Sequence, residues 1–276
     1  MADDAPVRRI ATEEAFAIPE QLERYGALAH STWSSADVVF WGRILNGPAN
    51  PLIDALLDVD ERRLADMDAN GVDVQLLLLT SPGVQVFDAD TATALASLAN
   101  DRLAEAIARH PDRFAGLATF APQDPARAAK EMERAVTELG LGGFVVNSHT
   151  DGEYLDQERF WPILEAAEAL DAPIYIHPRP LPETAIGPYL EHELWAGIWA
   201  MRRRPGCTAY GSSPAASSIA SRTCGSSSAT WVRGCPTSSI AWTTCRGSCA
   251  RSGHTSHTSW TPASTSCATS SSPPAA

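Results

Sequence analysis

The chain has 276 residues and a formal net charge of −12, with 33 acidic residues against 21 lysines and arginines. This negative charge argues against nucleic acid or an anionic membrane as a partner. No apolar run reaches transmembrane length, the N-terminus lacks an apolar signal core, and no cysteine precedes Cys207, so we expect a cytoplasmic protein without disulfides.

The composition changes abruptly near residue 200. All 33 acidic residues stand at or before Glu193, whereas residues 201–276 hold all six cysteines and contain no Asp, Glu, Lys, Asn, Gln, Leu or Phe. Ser and Thr fill 30 of these 76 positions. We therefore divide the chain into a folding part, 1–200, and a tail, 201–276. We predict a disordered tail, because its few apolar side chains cannot offset about 1–2 kcal/mol of backbone entropy per residue.

Short apolar runs alternate with amphipathic segments through the first 200 residues. Continuous apolar strands between helices are typical of a parallel sheet that is covered on both faces. In chain order, the pattern predicts strands at 9–12, 72–79, 114–120, 142–147 and 172–176, and helices at 51–70 (closed by Gly71), 90–110, 124–139 and 158–170.

This α/β pattern fits both a doubly wound sheet and a (β/α)8 barrel. No Gly-rich phosphate loop follows the first strand, which argues against a dinucleotide site. A complete barrel needs about 250 residues, so 1–200 supplies only the first five of eight β units. Polar residues stand where a barrel builds its site, at or just after the C-terminal ends of the predicted strands: Glu13, Thr80, Asn147, His149 and His177.

We interpret the tail as the product of a reading-frame shift near Met201. In a shifted frame, each codon takes the third base of one residue and the first two bases of the next. Because tryptophan has one codon, Trp231 followed by Val232 must then encode glycine, and GC-rich codons make 228–234 read G-H-L-G-E-G. The whole shifted tail has helical and strand periodicity, charges of both signs and no cysteine. We therefore predict that the other frame continues the barrel.

Glu13 and His177 are the candidate metal ligands. They stand at the ends of the first and fifth predicted strands, which lie on opposite sides of the mouth of an eight-stranded barrel. A carboxylate oxygen and an imidazole nitrogen suit Zn²⁺ or Mn²⁺. Because successive strand residues point to opposite faces, only one of Glu13 and Glu14 faces inward. A lone strand-end histidine is more often structural, so the pair alone is a weak signal.

Five segments together resemble the decarboxylase branch of the amidohydrolase superfamily, the group of aminocarboxymuconate-semialdehyde, γ-resorcylate and 5-carboxyvanillate decarboxylases. They are A-T-E-E-A-F at 11–16, L-T-S-P-G-V-Q at 79–85, A-P-Q-D-P at 121–125, V-N-S-H-T at 146–150 and Y-I-H-P-R at 175–179. The resemblance implies a (β/α)8 barrel in which Glu13 and His177 bind one Mn²⁺ or Zn²⁺, without an organic cofactor. Ala15 stands where relatives carry a further histidine ligand.

The resemblance also implies an activity, the non-oxidative decarboxylation of a small hydroxylated aromatic carboxylate by a homo-oligomer. In that family, a G-H-x-G-E motif at the sixth strand and a proton-donating Asp at the eighth complete the site. These residues are missing from this frame, so the catalytic residues remain unknown and we expect the chain as written to be inactive. Trp41, Arg43 and Asn147 are candidate substrate-binding residues; barrel packing or a solvated charge explains them equally well.

Two alternatives remain open. A metal-dependent amidohydrolase or lactonase would hydrolyse a C–N or C–O bond on the same scaffold, although such hydrolases commonly carry H-x-H where this chain has T-E-E-A. A non-catalytic truncated remnant would have a genuine Ser/Thr-rich tail, either disordered or a glycosylated stalk.

Overall fold

The computed structural model describes residues 8–30, 35–48, 50–192, 230–235 and 239–243. Its strands form one sheet in chain order, β1 to β7. The first five strands are parallel, and the last two are antiparallel to their neighbours. They are β1 (Ile10–Phe16), β2 (Val74–Leu79), β3 (Phe114–Thr119), β4 (Phe144–Asn147), β5 (Ile174–His177), β6 (Thr230–Cys235) and β7 (Ser239–Thr243).

Helices connect the five parallel strands. Because the parallel strands lie side by side in sequential order, without the reversal of a doubly wound sheet, they form half of a (β/α)8 barrel. The barrel prediction is therefore confirmed for its first five β units. The helices are α1 (Pro19–Ala29), α2 (Ala36–Leu45), α3 (Pro51–Leu57), α4 (Glu61–Asn70), α5 (Ala89–Arg109), α6 (Pro125–Thr137), α7 (Trp161–Ala169, after a 3₁₀ turn at Glu158–Phe160) and α8 (Glu183–Leu190).

The single helix predicted at 51–70 is wrong, because α3 and α4 are separated at Asp58, whose backbone is extended. The Asp58 carboxylate accepts a hydrogen bond from the Asp60 N–H at 2.8 Å, and the Arg63 guanidinium donates to the Asp58 carbonyl at 2.6 Å. These side-chain bonds replace the helical ones. Gly71 ends α4 in the left-handed conformation, at φ 64°, as predicted. Helices α1, α2 and α8 were not predicted.

The core has two layers, because alternate strand residues face opposite sides of the sheet. Leu77, Phe144 and Ile174 are fully buried on the outer face, within a cluster that also contains residues of α5, α6 and α7. A separate inner cluster contains Leu78, Leu117, Val145 and Tyr175. The inner face of the sheet is therefore apolar along the strands and becomes polar at their C-terminal ends.

Strands β6 and β7 are the described part of the segment 201–276. The other residues of that segment lie outside the described residues, so the disorder predicted for it stays a prediction. No helix in the described ranges is long and apolar enough to cross a membrane.

Candidate metal centre and substrate site

The structure brings Glu13 and His177 together across the half-barrel. The His177 Nε2 atom lies 3.3 Å from the Glu13 Oε1 atom; the side chains are 19% and 50% exposed. The imidazole of His177 is the main cause that holds the pKa of Glu13 below its usual range; partial burial opposes this effect, and a hydrogen bond from Tyr175 adds to it. Glu13 is therefore ionised at neutral pH and faces an imidazole nitrogen.

Glu13 does not close its strand as expected, because β1 continues to Phe16. The register of β1 with β2 explains its direction. Ala11 pairs with Gln75 and Glu14 pairs with Leu77, so β1 has one residue more than β2 over this stretch. Such a bulge re-aims a side chain. Glu14, paired with the outward Leu77, faces the helices, and Glu13 faces inward.

The two residues fit part of a divalent-metal site. A carboxylate oxygen opposite an imidazole nitrogen suits Mn²⁺ or Zn²⁺. The other ring nitrogen of His177, Nδ1, is buried and has no hydrogen-bond partner in the described ranges. Among those same residues, no group of three or more His, Cys, Asp or Glu side chains surrounds a common point. Glu13 and His177 therefore supply two donors, and a complete coordination sphere needs more.

Asn147 is the candidate substrate residue that the structure places beside this pair. It ends β4, is 5% exposed and pairs in register with His177 of β5, so both side chains leave the same face of the sheet. Its Oδ1 atom is buried and has no hydrogen-bond partner among the residues described. A buried acceptor without a partner can take a hydrogen bond from a donor group.

The other two candidates lie on α2. Trp41 is 3% exposed, and its indole N–H donates to the Ser81 carbonyl at 3.1 Å. This contact fixes the loop that follows β2. Arg43 is exposed in the last turn of α2. A role of either side chain in substrate binding stays a prediction.

A glutamine that the sequence did not single out connects the loops after β2 and β4. Gln85 is 4% exposed, and its side-chain NH₂ donates to the Asn147 carbonyl at 3.2 Å, the His149 carbonyl at 2.9 Å and the Thr150 hydroxyl at 2.7 Å. Its Oε1 atom accepts from the Asn147 backbone N–H at 2.6 Å and from the Asn147 Nδ2 at 3.0 Å. The one sequence feature that could have identified Gln85 as a site residue is its position in the L-T-S-P-G-V-Q segment.

A buried ion pair lies next to the site and was also missed. Arg179, two residues after His177, places its NH2 atom 2.5 Å from the Oδ2 atom of Asp37 in the first turn of α2; the side chains are 5% and 8% exposed. Arg179 also donates to the His149 carbonyl at 3.0 Å. Through these hydrogen bonds, Arg179 connects α2 with the segments that follow β4 and β5. No sequence pattern pairs Asp37 with Arg179, because 142 positions separate them.

His149 follows β4 and is a neutral imidazole. It is 7% exposed, and its Nε2 lies 2.8 Å from the Pro180 carbonyl, which only accepts, so the proton is on Nε2. Burial, together with the nearby charge of Arg179, lowers the pKa of His149 to about 4. No contact places it on the Glu13–His177 pair.

The sequence matches a family model described as amidohydrolase over residues 49–223. Among curated proteins, it is similar to a γ-resorcylate decarboxylase of a Polaromonas species, with 38% identity over 186 residues that cover 64% of this chain and 52% of the relative. A γ-resorcylate decarboxylase of Rhizobium radiobacter is 37% identical over 183 residues, 63% of this chain and 51% of the relative. The chain thus spans about half the length of the curated relatives it matches.

Solved structures give the same picture. The 5-carboxyvanillate decarboxylase of Novosphingobium aromaticivorans, with bound manganese and 3-methoxy-4-hydroxy-5-nitrobenzoic acid, superposes with a TM-score of 0.71 at 45% identity, over 74% of this chain and 60% of that one. A dihydroxybenzoic acid decarboxylase of a Polaromonas species, with manganese and 2-nitroresorcinol, has a TM-score of 0.60 at 34% identity, over 73% and 59%.

Proposed function

The chain belongs to the amidohydrolase family, and on that premise we propose that it derives from a metal-dependent, non-oxidative decarboxylase of a hydroxylated aromatic carboxylate. The observation that carries the proposal is the 3.3 Å approach of Glu13 and His177 on the inner face of the half-barrel. The names of the relatives support the reaction, and the manganese in two similar structures supports the type of metal.

Each residue has a role that its surroundings support. Glu13 and His177 would hold one Mn²⁺ or Zn²⁺, and Glu13 is suited because its lowered pKa keeps it ionised at neutral pH. The ion, when bound, supplies positive charge that holds a carboxylate and an adjacent phenolate. Asn147 would accept a hydrogen bond from a substrate hydroxyl through its unpartnered Oδ1. An aromatic carboxylate with two hydroxyl groups, such as γ-resorcylate, satisfies both requirements, because one oxygen can lie on the ion as a phenolate while the other hydroxyl donates to Asn147.

We further propose that the chain as written is inactive because of a frame shift near Met201. Decarboxylation needs a proton donor at the ring carbon that loses carbon dioxide, and the family motifs that would supply the remaining site residues are absent from this frame. Strand β6 supports this view. It coincides with most of the stretch 228–234, whose shifted reading is G-H-L-G-E-G, and it runs antiparallel to β5 instead of parallel as a barrel requires.

The nucleotide sequence around the codons for 200–202 tests the frame shift directly. A single inserted or deleted base, followed by an open frame that reaches an Asp-containing eighth strand, is the expected result. An intact frame with the Ser/Thr-rich tail would favour the truncated remnant.

The frame-restored protein tests the reaction. We expect bound Mn²⁺ or Zn²⁺ by elemental analysis and release of carbon dioxide from 5-carboxyvanillate or γ-resorcylate, with far slower reaction of analogues that lack the hydroxyl. Glu13→Gln and His177→Ala should each lose metal and activity, and His149→Ala should keep its metal. Hydrolysis of amides or lactones, with hydroxybenzoates untouched, would replace the decarboxylase by the hydrolase alternative.

A further inference from the structure

The hydrogen bonds of Gln85 determine which end of the Asn147 amide is turned towards Gln85 and which is turned away. The Gln85 Nε2 atom contacts the carbonyl oxygens of His149 and Asn147, and carbonyl oxygens only accept. The NH₂ group of Gln85 must therefore lie on that side, and its Oε1 on the other. Because Oε1 also only accepts, Asn147 must present its own NH₂ to it, at 3.0 Å. The usual ambiguity between amide oxygen and nitrogen is removed at both residues.

This arrangement leaves the Asn147 Oδ1 atom on the side of the amide turned away from Gln85. That oxygen is buried and has no hydrogen-bond partner in the described part of the chain. A buried acceptor without a donor is destabilising, and a hydrogen bond from a ligand donor would remove this cost. The register of Asn147 with His177 places the two side chains on one face of the sheet.

We propose that Gln85 is a positioning residue that sets the hydrogen-bond polarity of the site: it holds Asn147 so that only an acceptor is offered to the ligand. The site then selects a ligand with a hydroxyl group at this point over the same ligand with an ether oxygen there. The inference rests on the proposed function for the identity of the ligand, an aromatic carboxylate. The amide orientation itself rests on the hydrogen bonds alone.

The chain also offers a matched control glutamine. Gln123 is partly buried, and its Nε2 donates to the carbonyls of Val84 and Phe87 at 2.9 Å each. It therefore holds the same loop as Gln85 does. None of its hydrogen bonds in the described ranges goes to Asn147, so Gln123→Met weakens the loop without freeing the amide.

The test measures binding of 4-hydroxybenzoate and 4-methoxybenzoate to the full 276-residue chain in excess Zn²⁺, by ligand-observed NMR at millimolar ligand concentration. One hydrogen bond is worth about 0.5–1.5 kcal/mol, so the hydroxyl ligand should bind roughly two- to twelvefold more tightly. In Gln85→Met the ratio should fall to near one, because a free amide can rotate and donate to the ether. In Gln123→Met the ratio should stay as in the parent chain.

The side-chain amide of Asn147 gives a second readout that needs no ligand. In ¹⁵N-labelled protein, one Nδ2 proton should be protected from exchange, and Gln85→Met should remove this protection while the other amide signals stay dispersed. An unchanged ligand ratio in Gln85→Met, an equal fall in Gln123→Met, or no binding of the hydroxyl ligand would each overturn the inference. If the repaired enzyme proves not to be a decarboxylase while the ratio and the protection hold, the proposed function fails and the role of Gln85 stands.

Discussion

Acidification should destabilise this protein partly through His149. Its imidazole is neutral in the folded state, where burial and the guanidinium of Arg179 lower its pKa to about 4. The unfolded chain exposes the ring to water, where a histidine has a pKa of about 6.5. Between these values the unfolded state binds more protons. The free energy of unfolding is therefore highest above pH ~6.5, falls as the pH falls, and loses no more from this group below about pH 4.

The difference between the two pKa values determines how much free energy of unfolding is lost on acidification. The linkage relation predicts a loss of about 2 kcal/mol between pH ~7.5 and pH ~5, and about 3 kcal/mol by pH ~4. Urea unfolding of the parent chain and of His149→Gln at each pH measures it, because the variant lacks the titrating ring. The stability of His149→Gln should change less with pH, by these amounts.

An exposed histidine provides the control. His30 follows α1 at the surface, and His30→Gln should keep the pH dependence of the parent chain. The reasoning is refuted if His149→Gln loses as much stability on acidification as the parent does, or if the two histidine variants behave alike.

Three further predictions concern the parts around the site. Arg179→Met should destabilise the chain by about 3–5 kcal/mol, because it leaves the Asp37 carboxylate buried without its partner; Arg179→Met with Asp37→Leu should recover much of this loss in urea unfolding, and no recovery would contradict the pairing. Gly116→Val should lower the free energy of unfolding by about 1–3 kcal/mol in urea unfolding, since a Cβ there would lie 2.8 Å from side-chain atoms of α5. At Gly140 a Cβ would meet open space but φ is 69°, so Gly140→Ala should lower it by about 1 kcal/mol through backbone strain alone. The chain as written should retain no stoichiometric Mn²⁺ or Zn²⁺ after dialysis, because two protein donors rarely hold such an ion; metal found at one ion per chain would refute this.

The parallel strands were predictable because their signal is local. Each is a continuous apolar run next to a helix, and β2, β4 and β5 end within a few residues of the predicted positions. The register of Asn147 with His177 also follows from strand ends that meet at one edge of the sheet. Side-chain hydrogen bonds carry no such periodicity. The break at Asp58 depends on its carboxylate and on Arg63, five residues later, and that pattern reads equally well as a helical turn.

Long-range pairings at the site were outside the reach of the sequence. Gln85 contacts residues 62 to 65 positions away, and its neighbourhood is fixed only when the loops after β2 and β4 come together. The same holds for Asp37, which in the sequence is simply an acidic residue near a helix start. Polar residues that follow strands can be ranked as candidates, but the groups that orient them emerge only from the assembled sheet.

The extra residue in β1 determines which of the two adjacent glutamates, Glu13 or Glu14, faces inward. If side chains alternated strictly from the outward Ala11, Glu14 would face inward. Because β1 contains one extra residue, Glu13 faces inward instead. Deleting Thr12 would remove the extra residue and still leave Glu13 inward, with Ala11 opposite Gln75 and Glu14 opposite Leu77 as before. A shift of the Glu14–Leu77 pairing by one residue, by contrast, would exchange the two carboxylates without altering either of them. The carboxylate that faces inward is therefore determined by the pairing register of the strand and not by its composition.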